Sequence, residues 1–116
     1  MSYKIIGVFR DMDSMRFKCD ALKRAGYDVC TALDLQELKQ HLEQGNCEIV
    51  LIGHAIPASE KLRIGYFVKQ YHEHCALLEL YVDKPDLSMA HSHVRHEDGV
   101  EALLSAITEL RRSAAA

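Results

Sequence analysis

Short apolar runs suited to buried strands alternate along the whole chain with segments whose apolar residues recur at helical spacing. The runs are residues 4–9 (KIIGVF), 27–32, 48–52 (EIVLI) and 76–82 (ALLELYV), with a fifth expected near 90–95. Between the first two, Asp11 and Asp13 can cap a helix start. Met15, Cys19 and Leu22 then share a face, and Gly26 supplies the stop. Asp34 followed by Glu37 resembles a capping box. Leu35, Leu38 and Leu42 form the inner face of that helix, which Gly45 and Asn46 end. Ser59 is the expected cap of a third helix bearing Ile64, Phe67, Val68 and Tyr71. A last helix starts near Asp98 and presents Val100, Leu103, Leu104 and Ile107. Only the stretch 83–97, from Asp83 to Glu97, lacks clear periodicity. It holds Pro85, Ser88 and three histidines.

Strands alternating with helices require right-handed crossovers and a parallel sheet. The uninterrupted run at 48–52 suits a central strand covered on both faces. The expected fold is α/β: a flavodoxin-like (βα)5 doubly wound five-stranded parallel sheet, strand order 2-1-3-4-5, with a short or missing fourth helix. At 116 residues this is one domain, read as 1–112 with a disordered tail at 113–116 and no output domain behind it. No apolar run approaches the ~20 residues of a membrane span, and no signal peptide is evident. The formal charge of −3, with Lys and Arg scattered, argues against nucleic acid as a partner. Cys19, Cys30, Cys47 and Cys75 lack redox or zinc spacing. They read as reduced structural thiols in a cytoplasmic protein.

Three stretches carry a resemblance to a known family. "KIIGVFRDMDSM", "ALKRAGYDVCTA" and "CEIVLIGHAIP" stand in the order and spacing of the receiver domains of response regulators. The resemblance covers nearly the whole chain. It implies a module of two-component or phosphorelay signalling, whose members use an acidic pair after strand one to hold Mg²⁺. A phosphoacceptor Asp follows strand three, a Thr or Ser ends strand four, and a Lys ends strand five. Here the corresponding residues are Arg10 and Asp11, Gly53, Tyr81 (or Val82), and Arg95 (or His96). Lys84-Pro85 comes too early to supply the lysine. Glycine offers no nucleophile, and one carboxylate beside Arg10 makes a poor Mg²⁺ site. The resemblance therefore implies a pseudo-receiver: non-enzymatic, with no cofactor, binding a protein partner or itself as a homodimer. The segment 83–97 and the last helix are the implied contact surface.

Two other readings are open. His91 and His93 could jointly hold Zn²⁺ or Ni²⁺, with His96, Asp83 or Asp86 as third ligand, or the histidines could form a pH-responsive surface; His72 and His74 form a second close pair. A small enzyme could use the crevice at the carboxyl ends of the strands, around Asp11, His54 and Asp83. His54 alternatively reads as a plain loop histidine, a substitute phosphoacceptor or a proton relay. No glycine-rich phosphate loop, Asp-x-His-x-x-Gly pattern or Gly-x-Ser-x-Gly elbow is present. Arg10 is expected to fill the space left by missing carboxylates. Glu79, inside the fourth strand, needs an exposed edge or a basic partner. Tyr66, Phe67 and Tyr71 are expected in core and rim.

Overall fold

The structure, a computed structural model, describes residues 3–115. Its elements are β1 (Lys4–Val8), α1 (Met12–Arg24), β2 (Asp28–Ala32), α2 (Leu35–Glu43) and β3 (Ile49–Ile52). α3 (Ala58–Tyr71), β4 (Ala76–Tyr81), β5 (Ser92–Arg95) and α4 (Gly99–Ala115) follow, with a 3₁₀ turn, His96–Asp98, between the last two. The five strands form one sheet in the order β2-β1-β3-β4-β5, every pair parallel. The doubly wound fold is as expected, and no fourth helix separates β4 from β5.

Strand alternation divides the apolar side chains into two layers. Ile6, Val8, Val50, Ile52 and Leu77 face α2 and α3, meeting Leu38, Leu42, Ile64 and Val68. Ile5, Phe9, Ile49, Leu51, Leu78 and Leu80 face the other way, meeting Cys19 and Leu22 of α1 and Leu103 and Ile107 of α4.

The helix ends follow local chemistry with one correction. Asp11 caps α1, accepting from the backbone N–H of Asp13 (3.1 Å) and Ser14 (3.2 Å). Gly26 leaves that helix at φ 96°, where a Cβ is strained. Asp34 caps α2 by accepting from Glu37 N–H (3.0 Å), while the Glu37 carboxylate accepts from Leu33 N–H (2.8 Å). α3 starts behind Pro57, not Ser59, with no side-chain cap. Pro57 stands at the cap position with its fixed φ and extended backbone, and its carbonyl accepts from the N–H of Glu60 (3.0 Å) and Lys61 (2.9 Å). Ser113 and Ala114, expected in a disordered tail, continue α4, which runs to Ala115; Ala116 lies outside the described residues.

A buried acid shapes the segment 82–91 where a helix is missing. Glu79 is 0% exposed in β4. Its carboxylate accepts from Lys61 Nζ of α3 (2.8 Å) and from the backbone N–H of Asp86 (2.8 Å) and Leu87 (3.0 Å). Lys61, itself buried, also donates to Leu80 O (2.9 Å) and lies 3.3 Å from Asp86. One carboxylate thus satisfies two backbone donors that a helix would have satisfied internally. It places Leu87 in the core on the α3 side. Glu79 has the basic partner the sequence called for. Met89 sulfur closes over Gly65, 3.0 Å from where a Cβ would stand.

Candidate functional site

The carboxyl ends of β1, β3 and β5 converge on a small polar cluster. Asp11 leaves one carboxylate oxygen in the helix cap and turns the other, Oδ2, toward His54 Nε2 at 3.7 Å. His54 follows β3 directly after Gly53, and its ring stacks on His96 with centroids 3.6 Å apart and planes 17° apart. His96 Nδ1 lies 2.9 Å from Lys18 Nζ, which donates to Ser14 Oγ at 2.8 Å. Lys18 is 4% exposed. Asp11, His54, His96, Lys18 and Ser14 therefore form one continuous group drawn from α1, the β3 exit and the β5 exit.

The electrostatics of this group are set by burial. Desolvation pushes the Lys18 ammonium below the ordinary lysine range, against the attraction of Asp11. His54 is pushed down by burial, then by His96 and Lys18, with Asp11 opposing. His96 is pushed down by burial and Lys18, with Asp11 and Glu97 opposing. Both rings therefore favour the neutral form. His54 Nδ1 is fully enclosed and has no hydrogen-bond partner among the described residues.

Gly53 and its surroundings decide what else the crevice can do. Phe9 is 1% exposed, and its ring folds back along β1 over two glycines. A Cβ on Gly53 would stand 2.9 Å from Phe9 Cδ1 and 3.1 Å from Val8 O; one on Gly7 would stand 2.4 Å from Phe9 Cε2. The volume a side chain at position 53 would need holds an aromatic ring.

Arg10 does not fill that space. Its guanidinium turns outward to the Glu60 carboxylate, with one contact of 3.1 Å, and to Leu33 O at 2.7 Å. Phe9 is the filler instead, because an apolar ring is cheap to bury and a guanidinium is not. Tyr81 and Arg95 sit opposite each other at the ends of β4 and β5. Asp83 is exposed and shares with His54, Lys61, Tyr81, Lys84 and Asp86 a cleft of about 270 Å³. Of the three candidate crevice residues, Asp11 and His54 thus meet, while Asp83 faces only His54, across that cleft.

The three histidines proposed as a metal set are engaged separately. His91 Nδ1 accepts from Leu77 N–H (3.0 Å), His93 Nε2 lies 2.6 Å from Leu87 O, and His96 sits on Lys18. Among the described residues, no group of three or more His, Cys, Asp or Glu is placed to hold a metal ion. Phe67 packs on the core as expected, whereas Tyr66 and Tyr71 are exposed. Lys18, Ser14 and Phe9 were not singled out in the sequence. Ser14 and Lys18 are four apart, which puts them on one helical face. That face is also the one carrying buried Cys19 and Leu22, and this was the available signal.

No family model and no curated protein matches the sequence. Solved structures do. The chain superposes on the chemotaxis response regulator CheY4 of Vibrio cholerae with a TM-score of 0.82 at 17% identity, covering 95% of this chain and 99% of that one. A CheY-like response regulator receiver domain protein from Methanospirillum hungatei gives 0.84 at 17% identity, covering 97% and 96%. The chain has the receiver fold. A response regulator from Thermotoga maritima agrees, at 0.81 and 18% identity, covering 95% and 98%. At such identities the likeness is one of fold, and chemistry has to be argued from the side chains. Within the receiver fold, the strand ends that converge here carry Phe9, Arg10 and Asp11, then Gly53 and His54, then Arg95 and His96. No helix among the described residues is long and apolar enough to cross a membrane.

Proposed function

We propose that this chain is a signalling module of receiver fold that does not accept a phosphoryl group on aspartate and acts by contacting another protein. The observation that carries the reading is Gly53 beneath the Phe9 ring. The position that follows β3 offers no nucleophile, and its neighbour leaves no volume for one. The cluster beside it supports the same reading. It brings one lysine, Lys18, and two imidazoles toward a single carboxylate, Asp11, which is already committed to capping α1. A hard divalent cation needs several oxygen ligands, so this group suits it poorly. The contact surface is the segment 83–97 with α4, and the partner is another protein or a second copy of the chain. Four free thiols fit a reducing, cytoplasmic setting.

The test is an amide NMR spectrum recorded with and without Mg²⁺ plus beryllofluoride, a mimic of an aspartyl phosphate. The expected result is that the amides of Asp11, Gly53, His54 and Tyr81 do not move. Saturable shifts at those positions would mean that another acceptor serves and would overturn the proposal.

A further inference from the structure

His96 opens the 3₁₀ turn that carries the chain from β5 into α4. Its Nδ1 rests on Lys18, and its ring rests on His54. An ammonium only donates, so charged Lys18 requires His96 to accept at Nδ1 and to keep its proton on Nε2. We propose that Lys18, His96 and His54 form a proton-operated latch on the β5–α4 junction, closed when both imidazoles are neutral.

Proton uptake by His96 turns the Lys18 contact from donor–acceptor into donor–donor, with two positive charges at hydrogen-bond distance around a buried amine. Proton uptake by His54 places a cation 3.6 Å from the His96 ring, centroid to centroid. The charged groups facing the pair come from several elements. α1 presents Asp11 and Lys18, with the Ser14 hydroxyl between them. α3 presents Lys61, whose charge Glu79 and Asp86 offset. The turn itself presents Glu97. Asp83, Lys84 and Asp86 stand across the cleft from His54. Burial and Lys18 oppose the proton at both rings, joined at His54 by His96 and Lys61; Asp11 favours it at both and Glu97 at His96, and opposition prevails at each.

Release has somewhere to go. Gly99, at φ 83° and with nothing within 4 Å of where a Cβ would stand, joins the turn to α4. Leu103 and Ile107, fully buried, keep the body of the helix docked. The moving part is the turn and the first residues of α4. This latch stands on the packing of the chain itself and does not depend on which partner the module contacts.

The experiment is a histidine side-chain and backbone amide NMR titration from about pH 8 to pH 5, spanning the ordinary histidine value of about 6.5. Wild-type protein is compared with His96→Gln, which keeps an acceptor for Lys18 and cannot titrate. In wild type, His54 and His96 are expected to titrate below the ordinary value and in a linked fashion. The amides of residues 95–101 should shift with the same midpoint. In H96Q those amide shifts should be lost, and the His54 midpoint should rise. The latch is overturned if His96 titrates at the ordinary value, if the 95–101 amides stay still through its titration, or if H96Q keeps the same shifts. Should H96Q fail to fold, the first two outcomes, read on wild type alone, still decide.

Discussion

At the scale of single residues, two buried contacts set the behaviour of the crevice. The depressed imidazoles make stability depend on pH, and the sign follows from linkage. His54 and His96 bind protons less readily folded than unfolded. Their contribution is complete above the unfolded value of about 6.5 and is lost as pH falls from there through the lower folded values. Urea midpoints measured at pH 7.5 and 5.5 should fall at the lower pH in wild type, and fall less in H96Q. The second contact is Phe9 on Gly53. Gly53→Ala puts a methyl 2.9 Å from the ring and 3.1 Å from a backbone oxygen. It should cost about 1–3 kcal/mol by overpacking. In a Phe9→Leu background the added cost should shrink, which a double-mutant cycle by urea unfolding measures. Neither contact was legible in the sequence. The resemblance pointed to position 53 and to Arg10, but only the folded chain shows which neighbour takes up the space. A lysine at a helical position reads as solvent-facing by default, which hides Lys18 even though its spacing from Ser14 is visible in the sequence.

At the scale of elements, the strands were the most legible feature because a run buried on both faces has little alternative. β1, β3 and β4 fell within a residue or two of their expected limits. The caps Asp11 and Asp34 were also legible, since a carboxylate just before a helix answers an obligatory need of its first turn. Asp11→Ala should cost about 1 kcal/mol in chemical denaturation, comparable with Asp34→Ala. Two ends were misread. Pro57 starts α3 without a side-chain cap, and the Ser-Ala run at 113–115 continues α4 because alanine is the strongest helix former. The missing helix between β4 and β5 was legible as lost periodicity, but its replacement was not. Glu79 fastens that segment from inside the sheet. Glu79→Ala leaves buried Lys61 only the partly exposed Asp86 as counter-charge and strips two backbone N–H groups of their acceptor, so it should cost about 3–5 kcal/mol. Hydrogen exchange at the Asp86 and Leu87 amides should accelerate in the same variant; unchanged exchange would show that the segment is held by other means.

At the scale of the molecule, the parallel sheet followed from alternation, since parallel neighbours need crossovers and crossovers have one hand; the strand order is that of the flavodoxin-like member of the doubly wound folds. The same sheet supplies both apolar layers, so neither layer can be lost without exposing the other face of the same strands. Unfolding should therefore be a single cooperative step. Circular dichroism and tyrosine fluorescence should give coincident guanidinium transitions, and separated midpoints would show that one layer melts first. What the whole chain does was less legible than how it folds. The sheet sets where a site must lie, and the side chains at its strand ends decide what that site can be.

The packing of Phe9 across Gly7 and Gly53 also has a genetic consequence. Every glycine codon reaches an aspartate or a glutamate codon by one nucleotide change, so a carboxylate at position 53 is always a short mutational step away. In this background that step meets the ring, whereas shrinking the ring first empties the space above two glycines and leaves a cavity. Either order passes through a weakened intermediate. Position 53 is thus held as glycine by its neighbour.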